Sequence, residues 1–249
     1  MAKIAVFILT SFLLFIPSRT LADEIRVAVA SNFRYTMSEL ADLFEQTSGH
    51  RVILISGSTG KHYAQIMNGA PFDAFFAADS ARPSRLEAEH KAVAGSRFTY
   101  AMGKLVLWSP VEGYVDSRGE ILKNGGFRHL AIANPTLAPY GEAARQVLEV
   151  LGLMQDLGDR LVSGENIGQA FLFVNSGNAQ LGFVAWSQLK RNDLPAKGSF
   201  WLVPENLYPP IEQQAVLLRD NEAAEAFMSF IRSGKAARII RAHGYSIAD

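Results

Sequence analysis

Short runs of consecutive apolar residues recur along this chain, and between them apolar positions return at three- and four-residue spacing. The runs predict strands at residues 25–30, 52–55 and 74–77. Met37, Leu40, Ala41, Leu43 and Phe44 mark a helix, with Gly49 as its stop. Tyr63, Ile66 and Met67 mark a second helix, and residues 83–90 a polar amphipathic one. From Thr99 the pattern repeats with different lengths. Strands are predicted at 105–108, 129–133, 181–185, 201–203 and 215–218. Helices are predicted at 143–151, 166–174, 223–231 and 236–242. Such alternation argues for an α/β architecture with mainly parallel sheets. Two lobes are expected, residues 23–101 with 212–249 and residues 102–211. The chain should cross between them near 99–104 and 208–214.

The first residues carry a different signal. Lys3 precedes an apolar stretch over residues 4–16, and Thr20-Leu21-Ala22 closes it with small residues. That pattern predicts a secretory signal peptide over 1–22. The stretch is shorter than the ~20 residues that span a bilayer. The chain has no cysteine, so an exported product must rely on its core and carries no lipid on an N-terminal cysteine. A free periplasmic protein is expected. With 249 residues and 49% hydrophobic content, the chain can build that core.

Charge adds little. The chain has 24 basic and 24 acidic residues, and removing Lys3 and Arg19 with the signal leaves a net charge of −2. No basic patch points to nucleic acid.

Four segments sit where a strand ends and a helix begins, the place where open α/β sheets bind ligands. Residues 29–33, VASNF, offer Ser31 and Asn32, which are also favoured helix caps. Residues 55–66, ISGSTGKHYAQI, resemble a phosphate loop. However, Gly57 and Gly60 are too close for a nucleotide P-loop, and His62 follows Lys61 where a hydroxyl is required. Ser58, Thr59 and the free amides of a helix start remain as donors. Lys61 and His62 read as exposed surface residues. Residues 134–142, NPTLAPYGE, bring Pro139 for the turn and Tyr140 with an amide and a phenol. Residues 163–169, SGENIGQ, bring Asn166 as a cap, with the amides of Ile167 and Gly168 behind it. Hydroxyls and amides at four helix starts suit a fully ionised oxyanion, because neutral donors satisfy it without burying a second charge.

The chain resembles the periplasmic molybdate-binding proteins of ABC importers, the ModA family. The resemblance rests on VAVASNF (27–33), SGSTGKHYAQIMNGAPFDAFFAAD (56–79), GKLVLW (103–108), AIANPTLAPYG (131–141), ENIGQA (165–170), LGFVAWSQ (181–188) and AHGY (242–245). It implies a type II periplasmic binding protein, with two α/β lobes around a ligand cleft. The implied ligand is molybdate, with tungstate beside it, held by neutral hydrogen bonds with no direct cation ligands and no cofactor. The implied contacts are Ser31, Asn32 and Thr59 from the first lobe and Tyr140 and Ile167 from the second. Ala185 stands where many members carry a tyrosine, and Tyr140 is placed to take over its donor role. The implied partner is an ABC importer permease in the inner membrane, served by a monomer.

Rival readings are weaker. None of the five histidines, His50, His62, His90, His129 and His243, lies in a hydrolase or metalloprotease motif, so catalysis is not expected. A cation site would need clustered carboxylate or histidine ligands, which the four segments lack. Another tetrahedral oxyanion, sulfate or phosphate, stays open. Sulfate differs from molybdate mainly in size, and phosphate would profit from a buried acceptor.

Overall fold

The structure, a computed structural model, describes residues 23–190 and 196–247. The predicted signal segment lies outside the described residues. Ten strands are described. They are β1 (Glu24–Ala30), β2 (Arg51–Gly57), β3 (Ala74–Phe76), β4 (Phe98–Gly103), β5 (Leu105–Ser109), β6 (Leu130–Ala133), β7 (Leu161–Gly164), β8 (Leu181–Ala185), β9 (Ser199–Leu202) and β10 (Ile211–Leu217). The helices are α1 (Arg34–Ser48), α2 (Thr59–Met67), α3 (Ala81–Ala88), α4 (Ile121–Asn124), α5 (Pro139–Val150), α6 (Met154–Leu157), α7 (Ile167–Asn175), α8 (Trp186–Leu189), α9 (Glu222–Ile231) and α10 (Gly234–Ala242).

The strands form two five-stranded sheets on one plan, ordered β2-β1-β3-β10-β4 and β7-β6-β8-β5-β9. In the first, β10 runs antiparallel to both its neighbours while β2, β1 and β3 are parallel. In the second, β5 is the reversed strand. The reversed strands are the ones that enter directly from the other lobe. Lys104 alone separates β4 from β5, and residues 203–210 lead from β9 back to β10. The crossing segments are thus largely strand rather than linker, with Ile211 opposite Gly103 and a bulge between Gln213 and Gln214. The strand over 98–103 was not expected, because Phe98 to Gly103 alternates only weakly in polarity.

Each sheet is covered on both faces, as parallel strands require. On the first sheet, Met37, Leu40 and Phe44 of α1 meet Phe227 and Met228 of α9 and Ile240 of α10. Ile66 and Leu86 close the opposite face over Phe75. On the second sheet, Val147 and Leu148 of α5 pack on Leu107, Ile132 and Phe183. Val174 covers the other face, where Trp108 and Phe171 stack at 5.1 Å. Fully buried side chains such as Phe227 and Leu40 each contribute about 1.5–3 kcal/mol, so the absence of disulfides is offset by a core in each lobe.

Candidate oxyanion site

Strands β1, β2, β6 and β7 end at Ala30, Gly57, Ala133 and Gly164, and the loops that follow face one another across the cleft between the lobes. A small cavity of about 10 Å³ lies there. Ser31, Asn32, Thr59, Tyr140 and Ile167, the five residues singled out in the sequence, all line it, and no Asp, Glu, Lys, Arg or His does. That volume is far below the roughly 300–1,000 Å³ of pockets for organic ligands, so the space leaves room for a small ligand only.

The two hydroxyls are oriented by backbone amides. Thr59 Oγ1 accepts from the Ala78 N–H at 3.0 Å. Ser31 Oγ accepts from the Gly168 N–H of the opposite lobe at 3.2 Å. Ser31 is not the cap of its own helix turn, since that position falls on Ala30. With an accepting position of each hydroxyl occupied, its proton is available as a donor.

The helix starts supply the remaining donors. Pro139 is the first residue of α5, and Asn166 caps α7 by accepting from the Gln169 N–H at 3.1 Å. The first-turn amides of Thr59, Tyr140 and Ile167 have no intrahelical acceptor. Among the described residues no turn or loop carbonyl takes them. Three helix N-termini thus point partial positive charge at one place.

Asn32 and Tyr140 are tied into the wall. Asn32 Nδ2 donates to Gln213 Oε1 at 2.7 Å and to the Tyr245 hydroxyl at 3.0 Å. Its carbonyl accepts from Ser187 Oγ at 3.3 Å and the Tyr245 hydroxyl at 3.0 Å. The Tyr140 hydroxyl accepts from Gln213 Nε2 at 3.4 Å. Burial pushes the Tyr140 phenol well above its ordinary range, so it stays neutral. Ala185, at the end of β8, is fully buried and donates its N–H to Gln188 Oε1 at 2.9 Å. Gln213 was missed in the sequence; the only sign was a pair of glutamines, Gln213-Gln214, opening an apolar strand.

One expectation needs correction. His62 is not a surface residue. It is 2% exposed, with its ring edge-on to Phe72 and Phe75 and its Nδ1 3.1 Å from Gln65 Oε1. The reason is Gly57: its missing side chain leaves the space that the imidazole fills. Burial lowers the His62 pKa, so the ring is neutral near pH 7. Lys61 is half-exposed as expected, but it spans the cleft to Glu165 at 3.0 Å.

A larger cleft lies beside the cavity, lined by Asp79, Glu142, Glu212 and Arg82. The Arg82 guanidinium is already bound to the Asp79 carboxylate and the Thr136 carbonyl. Excess negative charge makes that cleft unsuitable for an anion.

The chain matches the family model of bacterial extracellular solute-binding proteins over residues 25–246. It is 52% identical over 229 residues to the molybdate-binding protein ModA of Azotobacter vinelandii, covering 91% of each chain. It is 45% identical to ModA of Rhodobacter capsulatus, covering 90% of this chain and 88% of that one. The solved structure of the Azotobacter vinelandii periplasmic molybdate-binding protein superposes with a TM-score of 0.88 at 46% identity, over 90% of this chain and 100% of that one. The chain belongs to the bacterial extracellular solute-binding protein family, and within it to the ModA group.

Proposed function

We propose that this protein captures molybdate between its lobes and delivers it to an ABC importer. The observation that carries the reading is the cavity itself: amides of three helix starts and two oriented hydroxyls face a small space with no charged side chain. Ser31, Asn32, Thr59, Tyr140 and Ile167 are its binding residues. About five hydrogen bonds to a dianion, at roughly 1.5–3 kcal/mol each, are on the scale of the ~8 kcal/mol that a micromolar Kd represents. Tungstate, with the same charge and shape, is a second ligand. The lack of a carboxylate in the lining disfavours phosphate, which carries a proton that needs an acceptor. Sulfate has the same charge and shape, so discrimination against it falls to the size of the cavity.

The protein acts as a carrier, not a catalyst. It works as a periplasmic monomer, with residues 1–22 removed on export, and docks on a permease in the inner membrane. The expected jaws, residues 23–101 with 212–249 and residues 102–211, shift slightly with the strands: β4 through Gly103 and β10 from Ile211 belong to the first. Closure follows from differential affinity: an anion that bridges both lobes binds the closed form better than the open one.

Calorimetric titration of ligand-stripped mature protein with molybdate, tungstate, sulfate and phosphate tests this. Tight binding of molybdate and tungstate alone is expected. Tight binding of sulfate or phosphate instead would move the ligand, and binding of none would overturn the reading.

A further inference from the structure

We propose that Gln213 is a positioning residue that registers closure of the lobes and transmits it to the anion cavity. This rests on the oxyanion reading above and assigns a role outside the cavity lining.

Gln213 lies on β10, next to the bulge where the chain has just returned from the second lobe. It is fully buried. Its side-chain amide is engaged at both ends. Oε1 accepts from Asn32 Nδ2 at 2.7 Å and from the Tyr100 hydroxyl at 3.1 Å, both in the first lobe. Nε2 donates to the Tyr140 hydroxyl at 3.4 Å, which comes from α5 of the second lobe. Asn32 and Tyr140 both line the cavity. One amide therefore ties together a cavity residue from each jaw.

The donor end of this amide has its partner only while the second lobe is in place. A buried N–H without an acceptor is costly, so the Gln213–Tyr140 bond favours the closed arrangement. The acceptor end holds Asn32 in the same network, which places the Ser31-Asn32 turn against the cavity. Closure and the shape of the first-lobe wall are thereby coupled through one side chain.

Gly103 makes the contact possible. It sits opposite Ile211 in the pairing of β4 with β10, one residue before the first crossing. A Cβ at Gly103 would overlap the Tyr140 hydroxyl and lie 2.8 Å from Gln213 Nε2. Gly103 is not among the glycines with positive φ, so its backbone does not require glycine. The reason for the small residue is the space through which the phenol reaches Gln213.

A purely structural network would give the same static picture, so the test separates the two. Molybdate affinity and the melting temperature of ligand-free protein are measured for wild type, Gln213→Leu, Tyr140→Phe, the double variant and Gly103→Ala. Each single change is expected to weaken molybdate binding about tenfold or more, the scale of one lost hydrogen bond. The double variant is expected to be no worse than the weaker single, because both remove the same link. Gly103→Ala is expected to weaken binding while the ligand-free melting temperature holds. Wild-type affinity in the variants overturns the proposal. So do losses that multiply in the double variant, or a loss in Gly103→Ala that merely follows a lower ligand-free melting temperature. A wild-type protein that binds no tetrahedral anion overturns the functional reading and this one with it, and is recognised before any variant is compared.

Discussion

Lys61 and Glu165 meet across the cleft, with Nζ 3.0 Å from the carboxylate, one from α2 of the first lobe and the other just ahead of α7 of the second. Lys61 is two residues from Thr59, which lines the cavity, yet the Lys61 and Glu165 side chains are 51% and 41% exposed. An exposed pair of this kind contributes at most about 1 kcal/mol and is screened by salt. Lys61→Ala is therefore expected to weaken molybdate binding by less than about fivefold, and less again at high salt. Calorimetry at two ionic strengths checks this. Abolished binding would show that the anion depends on the lysine charge.

Thr59 behaves differently. Its hydroxyl is buried and holds the Ala78 N–H. Thr59→Val removes the hydroxyl at nearly constant volume and leaves that amide unpaired. Loss of one hydrogen bond to an ion is worth about 1.5–3 kcal/mol, so binding should weaken roughly 10- to 100-fold, and the ligand-free protein should melt lower. Thr59→Ser should recover most of both. Unaltered affinity in Thr59→Val would remove this residue from the site.

Gly60 tests closure with little effect on either lobe alone. Its N–H donates to the Leu137 carbonyl of the opposite lobe at 2.8 Å. A Cβ there would lie 3.0 Å from both the Cα and the carbonyl oxygen of Leu137, which are backbone atoms and cannot rotate away. Gly60→Ala should weaken binding and reduce the ligand-induced compaction seen by small-angle scattering. The melting temperature of the ligand-free protein should not fall, since alanine is the better helix former. Full compaction in the variant would show that these lobes do not close to this distance.

His62 gives the fold an acid sensitivity. Burial holds its folded pKa below the ordinary 6.5, with the Gln65 contact partly opposing the shift. The unfolded chain then takes up a proton that the folded chain resists. Stability from this group is complete above about pH 6.5 and declines as the pH falls below it. The groups facing the ring are uncharged apart from the nearby Lys61 and Glu165. Thermal melts from pH 8 to 5 should fall more steeply for wild type than for His62→Gln. Parallel curves would place the acid sensitivity elsewhere.

The lining of the candidate cavity was more legible in the sequence than the sheets were. Asn166 and Pro139 are local signals: a cap and a first-turn proline act within their own helix, so position alone reveals them. Thr59 and Ile167 follow from the same logic. The strands β4 and β7 escaped notice because Phe98–Gly103 and Leu161–Gly164 are short and only partly buried, so their polarity hardly alternates. His62 and Gln213 were misplaced or missed for a deeper reason. Each is buried in space left by a glycine on a neighbouring element, Gly57 under the imidazole and Gly103 beside the amide. A vacancy of that kind exists only after the chain has folded, and no local pattern announces it.

The donors at Tyr140 and Ile167 that face the cavity are peptide N–H groups, which every residue except proline carries. Substitution at these positions changes side-chain packing but leaves the donor in place. Recognition is therefore robust to point mutation at Ile167, whereas at Tyr140 the amide survives substitution but the phenol that reaches Gln213 does not. Selectivity must instead change through the spacing of the loops, or at Ser31 and Thr59, where the chemistry resides in the side chain.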